Sequence, residues 1–175
     1  ARLMHAAGFA LYEAKAKGAG SICCFDPEKY AKQKSDIENI RAFSELLDKN
    51  LFTYHFQPIV SSSTGEIVAY EALMRTKGNI ALNPLQILNC AKNFGRLYDI
   101  EKATLKNTLK YLSKHQLDFE NRRLYINSIS SHALDDKDFY AIVNDYGELL
   151  EKVVIEMTEQ TEISEDDLDR IRLRL

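Results

Sequence analysis

A chain of 175 residues with 45% hydrophobic content carries enough apolar side chain for one ordinary domain and its core. Its 23 basic and 26 acidic residues give a formal net charge of -3, which excludes a general electrostatic grip on a nucleic-acid polymer or an anionic membrane and leaves only a local basic site open. No apolar run approaches bilayer length, and the cysteines (Cys23, Cys24, Cys90) and histidines (His5, His55, His115, His132) make neither a disulfide framework nor a zinc spacing, so the expectation is a reducing, cytoplasmic compartment, with membrane tethering of a longer parent left open.

In chain order, "ARLMHAAGFALYEAKAKGAG" predicts a helix: Met4, Ala7, Leu11 and Ala14 recur at helical spacing and Gly18 suits its end. "SICCF" (21–25) predicts a short strand. Asp26 is placed to cap a helix with Pro27 at its first position, running to about Asn50, with Tyr30, Ile37, Ile40, Phe43 and Leu47 as its apolar stripe. The seam Ile37, Ile40, Leu47 has two explanations: packing on the rest of the protein, the simpler one, or a homodimer contact. "FTYHFQPIV" (52–60) and "EIVAYEALMR" (66–75) predict strands joined by "SSSTG", hence antiparallel. Helices follow near 84–93 and 99–115, then a strand at 122–129, a helix at 135–149 and a strand at 152–158. This alternation from Phe52 onward predicts an α/β fold with mainly parallel strands. A last helix is expected from Ser164, with Glu165, Asp166 and Asp167 in its first turn, an Ile163–Leu168 staple and a Leu168, Ile171, Leu175 stripe. No capping residue precedes Ala1 and none closes that stripe, so a segment of a longer protein is expected.

Three strands share a feature. "IVAYEALMR", "RRLYINSIS" and "KVVIEMTEQ" are apolar in the middle and meet an oxygen-bearing side chain near their C-terminal ends: Glu71, Asn127 and Glu156. In a parallel α/β barrel those ends form one rim, where functional groups gather. Two carboxylates and an amide oxygen are hard ligands that suit Mg²⁺ or Mn²⁺, and a divalent cation removes the repulsion between converging carboxylates. Arg75, on the same strand face as Glu71, suits an anionic group such as phosphate. Spacing alone leaves the alternative that each is a solvated strand edge or loop cap. Glu159 and Glu162 fit a solvated turn.

The ordered set "FQPIV", "YEALMR", "LYINSIS", "VIEMTEQ" resembles the first two-thirds of an EAL domain, over about Ser35 to Leu175. "AGFALYEAKAKGAGSICCFDPE" resembles the last helix and strand of a GGDEF (diguanylate cyclase) domain. The resemblance divides the chain into 1–28, a GGDEF remnant; 29–50, a linker and first EAL helix; and 51–175, a truncated EAL domain. EAL domains hydrolyse the bacterial second messenger cyclic di-GMP to linear pGpG with Mg²⁺ or Mn²⁺ on a modified TIM barrel whose first strand is antiparallel. Residue by residue, the resemblance implies Glu71, Asn127 and Glu156 as metal ligands, Gln57 as a substrate contact and Arg75 as a phosphate contact, at a site of two-metal catalysis.

The departures are specific. Thr76 stands where the family commonly has an aromatic residue, Lys92 where it often has an acidic one, and "NSIS" varies the usual pattern after the Asn. The family's aspartate pair, D-D-F-G, and its catalytic Lys do not occur before Leu175; "EDDLD" lacks the Phe-Gly and fits an amphipathic helix. The resemblance therefore implies a phosphodiesterase in the parent and an inactive isolated segment. The alternative is a non-catalytic cyclic di-GMP receptor.

Overall fold

The structure, a computed structural model, describes residues 2–115, 119, 122–157, 165 and 169. Apart from Glu165 and Asp169, the helix expected from Ser164 lies outside the described residues, as do Glu159 and Glu162. The chain divides into two compact units, Ala1–Ala42 and Phe43–Leu175.

In the first unit, α1 (Arg2–Lys17) stops where Gly18 adopts a φ of 111°, a conformation open to glycine and strained for other residues. Asp26 then starts α2 (Pro27–Asp48): its Oδ1 accepts from the N–H groups of Glu28 (3.0 Å) and Lys29 (3.1 Å), and Pro27 has no N–H to satisfy. The rings of Phe9, Phe25 and Tyr30 pack edge-on or tilted, with centroids 5.3 to 6.1 Å apart, and Lys29 pairs with Glu13. The strand expected at 21–25 is absent. That segment is irregular and Ile22 is 91% exposed, because a strand without a ladder partner leaves its backbone groups to water. On α2 the stripe also shifts: Phe43 and Leu46 are buried, Leu47 is half-buried, and Ile37 and Ile40 are exposed. Leu46 and Leu47 stand three and four residues beyond Phe43, and both spacings are helical neighbours, so periodicity could not choose between them.

In the second unit α2 closes with Asn50 in the left-handed region (φ 47°). Leu51 N–H donates to Leu46 O (2.9 Å) and Asn50 N–H to Leu47 O (3.1 Å), the paired bonds of a Schellman motif. This turn releases the chain into β1 (Phe52–Val60), which pairs antiparallel with β2 (Ile67–Thr76) as the hairpin spacing predicts. α3 (Pro84–Asn93) opens with a reciprocal capping box, in which Asn83 and Gln86 each accept the other's backbone N–H at 2.9 Å. α4 (Leu97–Lys114), β3 (Arg123–Ser128), α5 (Asp136–Leu150) and β4 (Val153–Met157) follow. β3 runs parallel to β2, and β4 parallel to β3, in the sheet order β1-β2-β3-β4.

Strand alternation gives this sheet two unlike faces. One carries Phe52, Tyr54, Ala72, Leu124 and Ile126, all buried; α4 packs on β1 and β3 and buries Ile100, Leu109 and Leu112. Thr108, fully buried on α4, donates its hydroxyl to Thr104 O at 2.6 Å, so that donor is not stranded in the core.

α4 and α5 meet through Asp138, whose carboxylate accepts from the Tyr98 hydroxyl (2.8 Å) and pairs with Lys102 Nζ (2.7 Å). The Lys102 bond first, and the Tyr98 bond second, hold Asp138 below its ordinary 3.8. An acid with a depressed folded-state pKa stabilises the fold above its unfolded value, and that contribution is lost as pH falls through the folded value. Asp138→Asn is therefore expected to be less stable than wild type near neutrality, with the gap closing below about pH 3.8. Denaturant melts of both proteins across that interval check it; a gap that stays constant with pH contradicts it.

Candidate functional site

The other face of the sheet carries the polar residues. In the β1–β2 register Gln57 stands opposite Glu71, His55 opposite Leu73 and Thr53 opposite Arg75. Glu71 stands opposite Tyr125 on β3, and Asn127 opposite Glu156 on β4. Directly paired residues share a face, and so do residues two apart, so Gln57, Glu71, Arg75, Tyr125, Asn127 and Glu156 lie on one face. β1 is antiparallel, so its first half reaches the rim formed by the C-terminal ends of the other three strands.

Within this row the structure makes one direct contact: Asn127 Nδ2 donates to Glu71 Oε1 at 2.8 Å. Glu71 is half-buried and Asn127 exposed. Glu156 is half-buried beside Asn127 in register, and its carboxylate makes no hydrogen bond or ion pair with another of the described side chains. Gln57 is exposed at the level of Glu71. Arg75 is half-buried and turns one arm back on its own strand, Nη1 donating to Met74 O at 2.7 Å. The five residues singled out in the sequence thus share one sheet face, and two of them touch.

The donor chemistry fits a hard divalent cation. An Asn that donates through its amide nitrogen turns its carbonyl oxygen to other partners, and oxygen is the atom such a cation takes. With the carboxylates of Glu71 and Glu156 the set is all oxygen. Among the described residues no three His, Cys, Asp or Glu side chains gather as a metal site by themselves, so two carboxylates and the amide are the donor set that these residues offer on this face.

The opposite side of the same strand end holds a feature the sequence analysis missed. Glu101 on α4 is 3% exposed, and both its oxygens are engaged: Oε1 accepts from the Ser128 hydroxyl (2.6 Å) and Oε2 from the Ile129 N–H (2.7 Å). Burial pushes its pKa up, and the bonds from Ile129 and Ser128 oppose that rise. A signal was present: Glu101 heads a buried stripe with Thr104, Thr108 and Leu112, where a carboxylate is out of pattern.

The EAL domain model matches residues 40–174. The chain belongs to the EAL domain family. EAL solved structures share its topology: the EAL domain of Xanthomonas citri FimX in complex with c-diGMP has a TM-score of 0.60 at 16% identity, covering 74% of this chain and 52% of that one. A MucR phosphodiesterase in a c-di-GMP complex has a TM-score of 0.57 at 18% identity, covering 78% and 58%. The fold is thus the EAL-type modified TIM barrel with its first strand antiparallel, of which the four described strands form an incomplete part. Among curated relatives, the cyclic di-GMP phosphodiesterase PdeR of Escherichia coli is 24% identical over 165 residues, 91% of this chain and 25% of the relative. The bifunctional diguanylate cyclase/cyclic di-GMP phosphodiesterase MucR of Pseudomonas aeruginosa is 25% identical over 112 residues, 63% of this chain and 16% of the relative. The chain therefore spans a quarter or less of the length of these two relatives. No helix among the described residues is long and apolar enough to cross a membrane.

Proposed function

We propose that this EAL segment contributes the substrate-facing rim of a metal-dependent, cytoplasmic phosphodiesterase that opens cyclic di-GMP to linear pGpG. The observation that carries the proposal is the Glu71–Asn127 contact on the sheet face where Asn127 and Glu156 pair in register. Glu71, Asn127 and Glu156 would hold Mg²⁺ or Mn²⁺, which when bound supplies positive charge against the phosphodiester and lowers the pKa of water. The chain's own groups orient. The Asn127 amide holds Glu71 Oε1 in place, Gln57 offers an amide at the level of Glu71, and the Arg75 guanidinium supplies fixed positive charge for a phosphate. Hydrolysis adds water across one phosphodiester: a P–O bond to ribose breaks and the released oxygen takes a proton. The groups expected to complete the chemistry, the family's D-D-F-G aspartate pair and its catalytic Lys, do not occur within residues 1–175, so this segment alone is proposed to be inactive. On the motif resemblance alone, residues 1–28 are read as the end of a GGDEF domain.

The test is turnover. Full-length protein incubated with cyclic di-GMP and Mn²⁺ is expected to form pGpG, resolved by chromatography, and to stop when the cation is chelated; the 175-residue segment is expected to form none. Tight cyclic di-GMP binding by full-length protein with no pGpG at any Mg²⁺ or Mn²⁺ concentration would replace hydrolysis by the receptor function.

A further inference from the structure

We propose that Glu101 is a positioning residue for the metal-binding end of β3: from the helix side it clamps the peptide that carries Asn127. The inference rests on the proposed role of Asn127 as a ligand and adds a residue that neither the motifs nor the sheet face contains.

The register shows why that peptide needs a clamp. Pairing between β2 and β3 ends at Ala72↔Ile126, one residue before Asn127. On the β4 side it runs, among the described residues, to Ser128↔Met157, and Ser128 is the last residue of β3. Asn127 therefore sits where β3 has lost its β2 neighbour, one residue before the strand ends, and Ile129 N–H lies past the last residue of β3. Glu101 supplies what the ladder does not. Its Oε2 accepts the Ile129 N–H at 2.7 Å and its Oε1 the Ser128 hydroxyl at 2.6 Å, so the two residues after Asn127 are tied to α4. Alternation sends Ser128 toward the helices and Asn127 toward Glu71, so a rigid Ser128 fixes the direction of Asn127 from behind. An acid buried to this degree and held by two neutral donors, a hydroxyl and a backbone N–H, is a costly choice for packing alone. Its chemistry suits the two donors it meets. Partners one step removed from a metal ligand typically change cation affinity ten- to a hundredfold, about the effect expected here.

The experiment uses full-length protein and reads Mn²⁺ affinity by electron paramagnetic resonance, alongside the thermal midpoint and turnover. Asn127→Ala first identifies the cation event that depends on this rim. Glu101→Leu, which removes both acceptors at similar size, is expected to weaken that event by about tenfold or more. Glu101→Gln is expected to recover most of it, because its carbonyl oxygen still accepts from Ile129 and its amide can donate to the Ser128 oxygen. A folded Glu101→Leu protein with wild-type Mn²⁺ affinity overturns the proposal. If that variant does not fold, Ser128→Ala carries the test: a loss of about threefold or more supports the clamp and an unchanged affinity overturns it. If Asn127→Ala leaves every Mn²⁺ event unchanged, the ligand set itself is wrong and the clamp falls with it, an outcome distinct from an effect confined to Asn127.

Discussion

Glu71→Gln in the full-length protein is expected to lower the proposed cyclic di-GMP hydrolysis by at least about a hundredfold while leaving the fold intact, because the proposed direct ligand should matter no less than the outer partners that typically change metal affinity or activity ten- to a hundredfold. The substitution separates charge from packing. Glu71 is half-buried, and the contact it makes is through Oε1 to the Asn127 amide at 2.8 Å. Gln keeps a carbonyl oxygen at that position, so the hydrogen bond to Asn127 survives and the shape is nearly unchanged. What disappears is one of the two carboxylate charges in the proposed ligand set. Chromatographic pGpG assays across a Mn²⁺ series check the expectation, with a melting curve as the control. A Glu71→Gln protein that melts like wild type and turns over at the wild-type rate would remove Glu71 from the site and with it the main support for the proposed function.

Much of this architecture was legible because local rules and tertiary demands agree. Asp26–Pro27, Asn83–Pro84 and the "SSSTG" turn each carry their own chemistry, and the elements they bound appear where spacing puts them. The shared face of Gln57, Glu71 and Arg75 follows from a period of two along paired strands. That of Asn127 and Glu156 depends on a parallel register, which no local rule specifies; the ordered motifs supplied it. Where the sequence was silent, the deciding contact is remote. "SICCF" is strand-like in composition, yet a strand exists only with a neighbour, and residues 21–25 pair with none among the described residues. Leu46 won over Leu47 on a choice that helical spacing leaves open. Glu101 and Ser128 are 27 positions apart, and only the docking of α4 on β3 makes them partners. The same limit explains why "NSIS" looked like a mere variant of a motif: its Ser128 works on the other side of the sheet.

Ile126→Ala is expected to cost the domain about 2–5 kcal/mol, and Ile126→Val about 0.5–1.5 kcal/mol, the range for shortening a fully buried aliphatic side chain. Ile126 has no exposed surface, stands between Ala72 and Ile155 in register, and belongs to the face on which α4 packs. Leu85, 68% exposed on α3, supplies the contrast: Leu85→Ala is expected to change stability by no more than about 0.5 kcal/mol. Since domains are commonly stable by only about 5–15 kcal/mol, the Ile126→Ala loss should be plain in denaturant melts or in hydrogen exchange of the β3 amides in full-length protein. Its sequence neighbour Asn127 faces the other way, so while the variant remains folded in the cold its Mn²⁺ affinity should stay close to wild type. That pattern, stability lost with affinity kept, is the reverse of the one expected for Glu101→Leu. Both residues act on the same few ångströms of β3, one by filling volume and the other by fixing direction. If Ile126→Ala proves as mild as Leu85→Ala, the alternation of β3 assigned here is wrong, and the placement of Asn127 beside Glu71 goes with it.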